Sequence, residues 1–370
     1  MRGCLVKSML DTTVIILAVT ISLLTIFVVI AFLMGFFRKM LSIGSYMGPN
    51  ATIFAIGAKY TQKEDIDELL SYSSISEVIS EIKKEGYEIE DLKKYDVEIE
   101  RGMISMMQRA VKMLPDDAKS FAEAYMLKYD ANIIKRILRA KYAKVPKNRI
   151  YEMVYEGRKI SKLIIQHMVE ATGMEDAISA LDATPFHECI KVWNDTNDLL
   201  KVELTLDKIV MKNLVESKRM LEENAQEPAN LFISLLVDIQ NIKSIVRGKV
   251  AEMENLQEHL IEGGYELSEW KLKGMAEART LDEALAHLEG TIYSFLRDVD
   301  DPFIIELELD RTLLRKVNEI ALTYSTSMGP LIMFLVAKEF EARNLKTILK
   351  GYMENIPKER IRELLVGDVA

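Results

Sequence analysis

Three times along this chain an acidic residue opens the same short pattern of apolar and polar positions. The copies read DANIIKRILRAK from Asp130, DIQNIKSIVRGK from Asp238 and EARNLKTILKGY from Glu341. The shared pattern is acid, two variable residues, usually Asn, aliphatic, Lys, variable, Ile, aliphatic, base, small. Each residue of a helix turns about 100°, so the aliphatic residues at +4, +7 and +8 fall at about 40°, −20° and 80° from the acid. The spacing therefore predicts a helix with the acid inside its apolar stripe. Lys at +5 and the base at +9 fall on the opposite side. Apolar runs at 231–237 and 331–336 precede two of the copies and extend the predicted helix upstream. A carboxylate on a buried stripe is unfavourable unless it is paired, so each acid is expected to have a fixed partner on a neighbouring helix. Ordering helix packing within each repeat is one role for these acids; contact with a partner protein is the other.

The copies start 108 and 103 residues apart, and self-similarity at a fixed period fixes architecture. Other features recur with them. Aliphatic-Glu-aliphatic segments centre on Glu98, Glu203 and Glu306. Short segments ending in an aromatic close on Tyr87, Phe186 and Tyr293. Pro146 and Pro357 open matching Pro-Lys-x-Arg-Ile runs, and Glu156-Gly157 and Glu262-Gly263 look like helix ends. The expected architecture is all-α: three pseudosymmetric helical repeats of about 105 residues, over 52–160, 161–265 and 266–370, the third cut short.

The stretch 14–37, from Val14 to Phe37, carries no charge. At about 1.5 Å per residue it reaches roughly 36 Å, enough to cross a bilayer. It is longer than a signal peptide's apolar core. Residues 1–40 are thus expected to be a membrane anchor. Residues 41–51, with Gly44, Gly48 and Pro49, are expected to be a linker. An upstream start codon, with Met34, Met40 or Met47 as the true start, is the competing explanation of the stretch.

Net charge is −9, and residues 41–370 alone hold 44 bases against 56 acids. That balance argues against a general nucleic-acid binder, which needs a basic footprint. Cys4 and Cys189 form no CxxC pattern and fit a reducing compartment, so the body is expected on the cytoplasmic side of the cell membrane. No GxxxxGK[ST] loop occurs, and His167, His187, His259 and His287 show no ligand spacing. No cofactor, metal site or catalytic residue is expected.

The triplicated signature, in an all-helical acidic chain, resembles the C subunit of archaeal A-type ATP synthases, a family shared with the d subunit of vacuolar ATPases. The resemblance covers about residues 52–370. It implies a non-catalytic three-fold helical funnel on the cytoplasmic face of the membrane proteolipid ring (the c-ring). Such a funnel receives the rotor shaft subunits, of D and F type, and couples shaft to ring in a proton- or sodium-translocating machine. The residues expected to order the repeats or meet partners are Asp130, Lys135, Arg139, Asp238, Asn241, Lys243, Arg247, Glu341, Asn344, Lys346 and Lys350. The first copy departs from the pattern with Ile133, the third with Glu341 and Lys350, and residues 14–37 have no counterpart in the family. The bilayer is the partner expected for that stretch. A membrane-anchored helical scaffold without a rotary role is the alternative function, and an enzyme on a helical fold a distant third.

Overall fold

The structure, a computed structural model, describes residues 2–253 and 255–367; for 2–16, 36, 38 and 39 it describes the backbone only. It is all-α, with no strand among the described residues. The helices are α1 Arg2–Ile56, α2 Lys63–Ser71, α3 Ile75–Lys84, α4 Tyr95–Val111, α5 Asp116–Tyr142, α6 Lys147–Glu152, α7 Lys162–Glu170, α8 Met174–Ser179, α9 Glu188–Thr196, α10 Leu199–Ser217, α11 Glu223–Val250, α12 Glu269–Glu277, α13 Leu281–Ala286, α14 Pro302–Thr323, α15 Gly329–Met353 and α16 Lys358–Glu363.

Three pairs of consecutive long helices dominate: α4–α5, α10–α11 and α14–α15. The second helix of each carries a signature segment, and its apolar stripe extends upstream as the pattern predicts. Asp198 and Asp301 cap α10 and α14, each accepting the N–H two residues on, at 2.9 and 2.8 Å. The pairs lean on one another in sequence: α5 packs on α10, α11 on α14, and α15 on α4.

The N-terminal and C-terminal parts share one core. Ile66, Leu69, Val78 and Ile82 of α2 and α3 lie in the same apolar cluster as Leu345, Leu349 and Leu365. A second cluster gathers Ile134, Leu138, Ile165, Phe186, Trp193 and Leu206 between α5 and α10.

The expected linker at 41–51 is helix, continuous with the apolar stretch in α1. Locally its glycines and proline oppose helix, but burial overrides them. Ser42, Tyr46, Asn50 and Ile53 are buried along one face, and Pro49 is buried beside them. Gly44 and Gly48 face open space. From residue 17 to residue 35 every side chain is exposed; those of Val14, Ile15, Ile16 and Phe36 lie outside the described side chains. By length and composition two helices of the described chain could cross a membrane, α1 from Leu17 and α11. The second is a core helix, largely buried in the body.

Candidate functional site

The three signature acids are all buried, and each holds a strap of backbone rather than a side chain on a neighbouring helix. Asp130 accepts the N–H of Lys159 at 3.0 Å and of Ile160 at 3.1 Å. Asp238 accepts those of Glu266 at 2.7 Å and Leu267 at 3.3 Å. The expected helix-borne partner is thus corrected: a carboxylate in an apolar stripe is satisfied by N–H groups just ahead of α7 and α12. Burial raises both carboxyls above the ordinary range, against the pull of those N–H groups. Gly157 and Gly264 are required here for space, since a Cβ on either would collide with the carboxylate of Asp130 or Asp238. Gly157 and Gly263, both expected to end a helix, do not: each lies in a strap, Gly263 with a left-handed φ of +94°.

Glu341 holds a strap from the other end of the chain. Its Oε1 accepts the N–H of Tyr60 at 3.1 Å. Its Oε2 accepts from the Tyr87 hydroxyl at 2.6 Å and from the Lys338 ammonium at 2.5 Å. Lys338 and Glu341 are both buried. The longer acid and its own lysine thus replace the Asp found in the other two copies.

The Asn at +3 seals the same strap. Asn241 donates to the Ile261 carbonyl at 2.8 Å and accepts its N–H at 2.9 Å. Asn344 does the same with Val366, and donates to the Tyr60 carbonyl at 2.9 Å. In the first copy Ile133 fills this place as part of the second apolar cluster.

The bases point to the next helix pair. Lys135 reaches Asp207 of α10 at 2.6 Å, Lys243 reaches Asp310 of α14 at 2.5 Å, and Lys346 reaches Glu100 of α4. At +9, Arg139 grips Glu203 and Arg247 grips Glu306, each through two bonds of 2.6 Å. Lys350 instead lies near Glu354 of its own helix, 3.9 Å away on the exposed surface. Glu98, expected to match Glu203 and Glu306, accepts the N–H of Glu90 at 2.9 Å. Glu100 and Asp310 each hold a second cation, Arg136 and Arg343. Burial pushes Glu100 and Glu306 up, but Arg136 with Lys346, and Arg247, outweigh it and hold both below the ordinary range.

The small residue that the pattern shows at +10 leaves room for a neighbour: a Cβ on Gly248 or Gly351 would meet Leu256 or Ile361. One position lay outside the pattern. At +11, Lys141 donates to the Val169 and Ala171 carbonyls, and Lys249 to those of Ala276 and Ala278, closing the ends of α7 and α12. Tyr352 closes the end of α2 from the same place, its single O–H shared between the Leu69 and Tyr72 carbonyls, each 2.9 Å away. Lys and Tyr share no sequence likeness, so only their position could have pointed to a common task.

None of these groups forms a catalytic cluster. Among the described residues there is no metal-holding group of His, Cys, Asp and Glu. What the arrangement does chemically is lock helices. The description ATP synthase (C/AC39) subunit matches residues 49–364. The chain belongs to that family. Within it the chain is similar to the A-type ATP synthase C subunit of Methanocaldococcus jannaschii, 25% identical over 354 residues that cover 89% of this chain and 88% of the relative. It is also similar to the proteins of that name from Pyrococcus abyssi, at 26% over 343 residues, and Pyrococcus horikoshii, at 27% over 342. Both alignments cover 88% of this chain and 91% of the relative. The match to this ATP synthase family contains all three signature segments and begins inside α1, beyond its apolar stretch.

Proposed function

We propose that this chain is the non-catalytic central-stalk subunit of a proton- or sodium-translocating A-type ATP synthase, coupling the rotor shaft to the membrane proteolipid ring. One observation carries the reading: the +5 lysines close a cycle. Lys135 ties α5 to α10, Lys243 ties α11 to α14, and Lys346 ties α15 back to α4. A part that transmits torque must neither bend nor slip. Dense packing transmits strain, and a closed cycle of braces leaves no free edge at which to open.

In this reading three units form a funnel, but the cycle is cut at a different place from the one expected. The units are 95–198, 199–301, and 302–367 completed by 57–94. Helices α2 and α3 supply to the third what α7 and α8, and α12 and α13, supply to the others. On this reading the third repeat is made from both ends of the chain. The shaft subunits of D and F type would seat in the funnel, the body lies on the cytoplasmic face, and residues 14–37 cross the cell membrane.

Affinity capture of the full chain from detergent-solubilised membranes through a C-terminal tag tests this. Stoichiometric shaft and proteolipid subunits are expected. Recovery of the chain alone, or with unrelated membrane proteins, would instead favour a membrane-anchored scaffold.

A further inference from the structure

The tips of the α10–α11 and α14–α15 pairs meet on α1, and α4, which leads to the third tip, packs on it as well. Asn224 at the start of α11 accepts from Ser42 at 3.0 Å. Asn50 donates to the Ser325 and Ser327 carbonyls of the α14–α15 turn at 3.2 and 3.1 Å. Tyr46 is buried between them, and burial, Asp117 at the start of α5 and Glu222 at the start of α11 together raise its hydroxyl pKa. The tips are also tied to one another. Asp117 accepts the Glu222 N–H at 3.0 Å, and Ser327 donates to the Asn224 carbonyl at 3.0 Å. A point reached by all three helix pairs lies at the centre of the arrangement they form. Segment 42–50 occupies that point.

We infer that α1 leaves the body along the central axis and that its apolar stretch occupies the lumen of the proteolipid ring, touching the apolar inner wall on every side. This rests on the central-stalk reading above. Two observations and one mechanical argument favour the lumen. The stretch is apolar around its whole circumference, and its side chains are exposed from 17 to 35, so it asks for hydrocarbon on all faces rather than on one. It joins the docked segment as one helix, and only about nine residues, roughly 14 Å, separate Phe37 from Tyr46. A rotating body carries its helix with it; an axial helix turns in place, whereas one outside the ring would sweep into the stator. The occupied axis is an addition to the family match, which starts at residue 49.

A photocrosslinking amino acid placed singly at Leu24, Thr25, Ile26 and Phe27 tests this in the assembled complex in native membranes. Four consecutive positions sample about 300° of the helix. Met113 and Met220, exposed at two tips, serve as body probes. Proteolipid adducts from all four helix positions are expected. Adducts from one face only, to a stator subunit or to lipid alone would overturn the axial placement. If Met113 and Met220 still reach the proteolipid, that failure touches the helix alone; if they do not, the central-stalk reading fails with it.

Discussion

Glu341 accepts the backbone N–H of Tyr60, 281 residues earlier in the chain, at 3.1 Å. The contact joins the last signature helix to the strap that follows α1, and so fastens the two ends of the body together. Lys338 neutralises the acid within the same buried site. Removing one member of a buried pair leaves an uncompensated charge, which typically costs about 3–5 kcal/mol. Lys338→Met and Glu341→Gln are each expected to lower the urea midpoint of the full chain in detergent strongly. The double substitution is expected to lower it less than the sum of the two. Additive losses would mean that the pair does not act as a unit.

Glycines of this chain divide by what a side chain would meet. Gly157→Ala and Gly264→Ala drive a methyl into the carboxylates of Asp130 and Asp238. Each is expected to destabilise the body by about 1–3 kcal/mol or more, as overpacking and a displaced buried acid combine. Gly44→Ala and Gly48→Ala meet nothing and should stabilise α1, by up to about 1 kcal/mol each. Thermal unfolding of the four variants checks the contrast; equal effects would contradict it.

Acid should loosen the braces before the straps. Glu100 and Glu306 have folded-state pKa values below their ordinary 4.5. Their contribution is therefore complete above about pH 4.5 and is lost as the pH falls through the depressed values. Asp130 and Asp238 are raised above 3.8, so their contribution has the opposite sign: it is fully present below that value and is lost as the pH rises through the raised one. Urea midpoints between pH 6 and about pH 3 should fall steeply for the natural chain and less steeply for Glu100→Gln with Glu306→Gln. An unchanged slope would remove these braces from the account.

The exposed pairs matter less to stability. Arg139 and Arg247 are about two-thirds exposed on the side-chain scale, at 63% and 62%. Solvent screening at the exposed guanidinium weakens such a pair, so Arg247→Ala should lower the midpoint less than Glu100→Ala, whose partners are less exposed. Lys243→Met should also be tolerated better than its burial suggests, because Arg343 still pairs with Asp310. Glu100→Ala, which orphans both Arg136 and Lys346, should be the most damaging of the three in the same unfolding assay.

Much of this was legible in the sequence for a physical reason. A fixed acid, Asn and base on a helix must recur where the same neighbours recur, so Asp130, Asp238 and Glu341 stood out although Asp became Glu. Their true partners did not, because backbone N–H groups leave no mark in a side-chain pattern. The cut proposed for the cycle is equally hidden. A period tells how long a unit is, not where the chain enters it, and the Tyr60 strap lies far from Glu341 in sequence. At 41–51 the local signals of Gly44, Gly48 and Pro49 pointed to a linker, while Tyr46, Asn50 and Ile53, which hold that segment as helix, gained their meaning only from tertiary burial.

The most direct test of the coupling role compares ATP hydrolysis with ion transport in membrane vesicles from cells lacking this chain. The account predicts that hydrolysis by the catalytic head persists, that ATP-driven ion uptake disappears, and that the natural chain restores it. Ion uptake that continues at the normal rate without the chain would contradict the central claim.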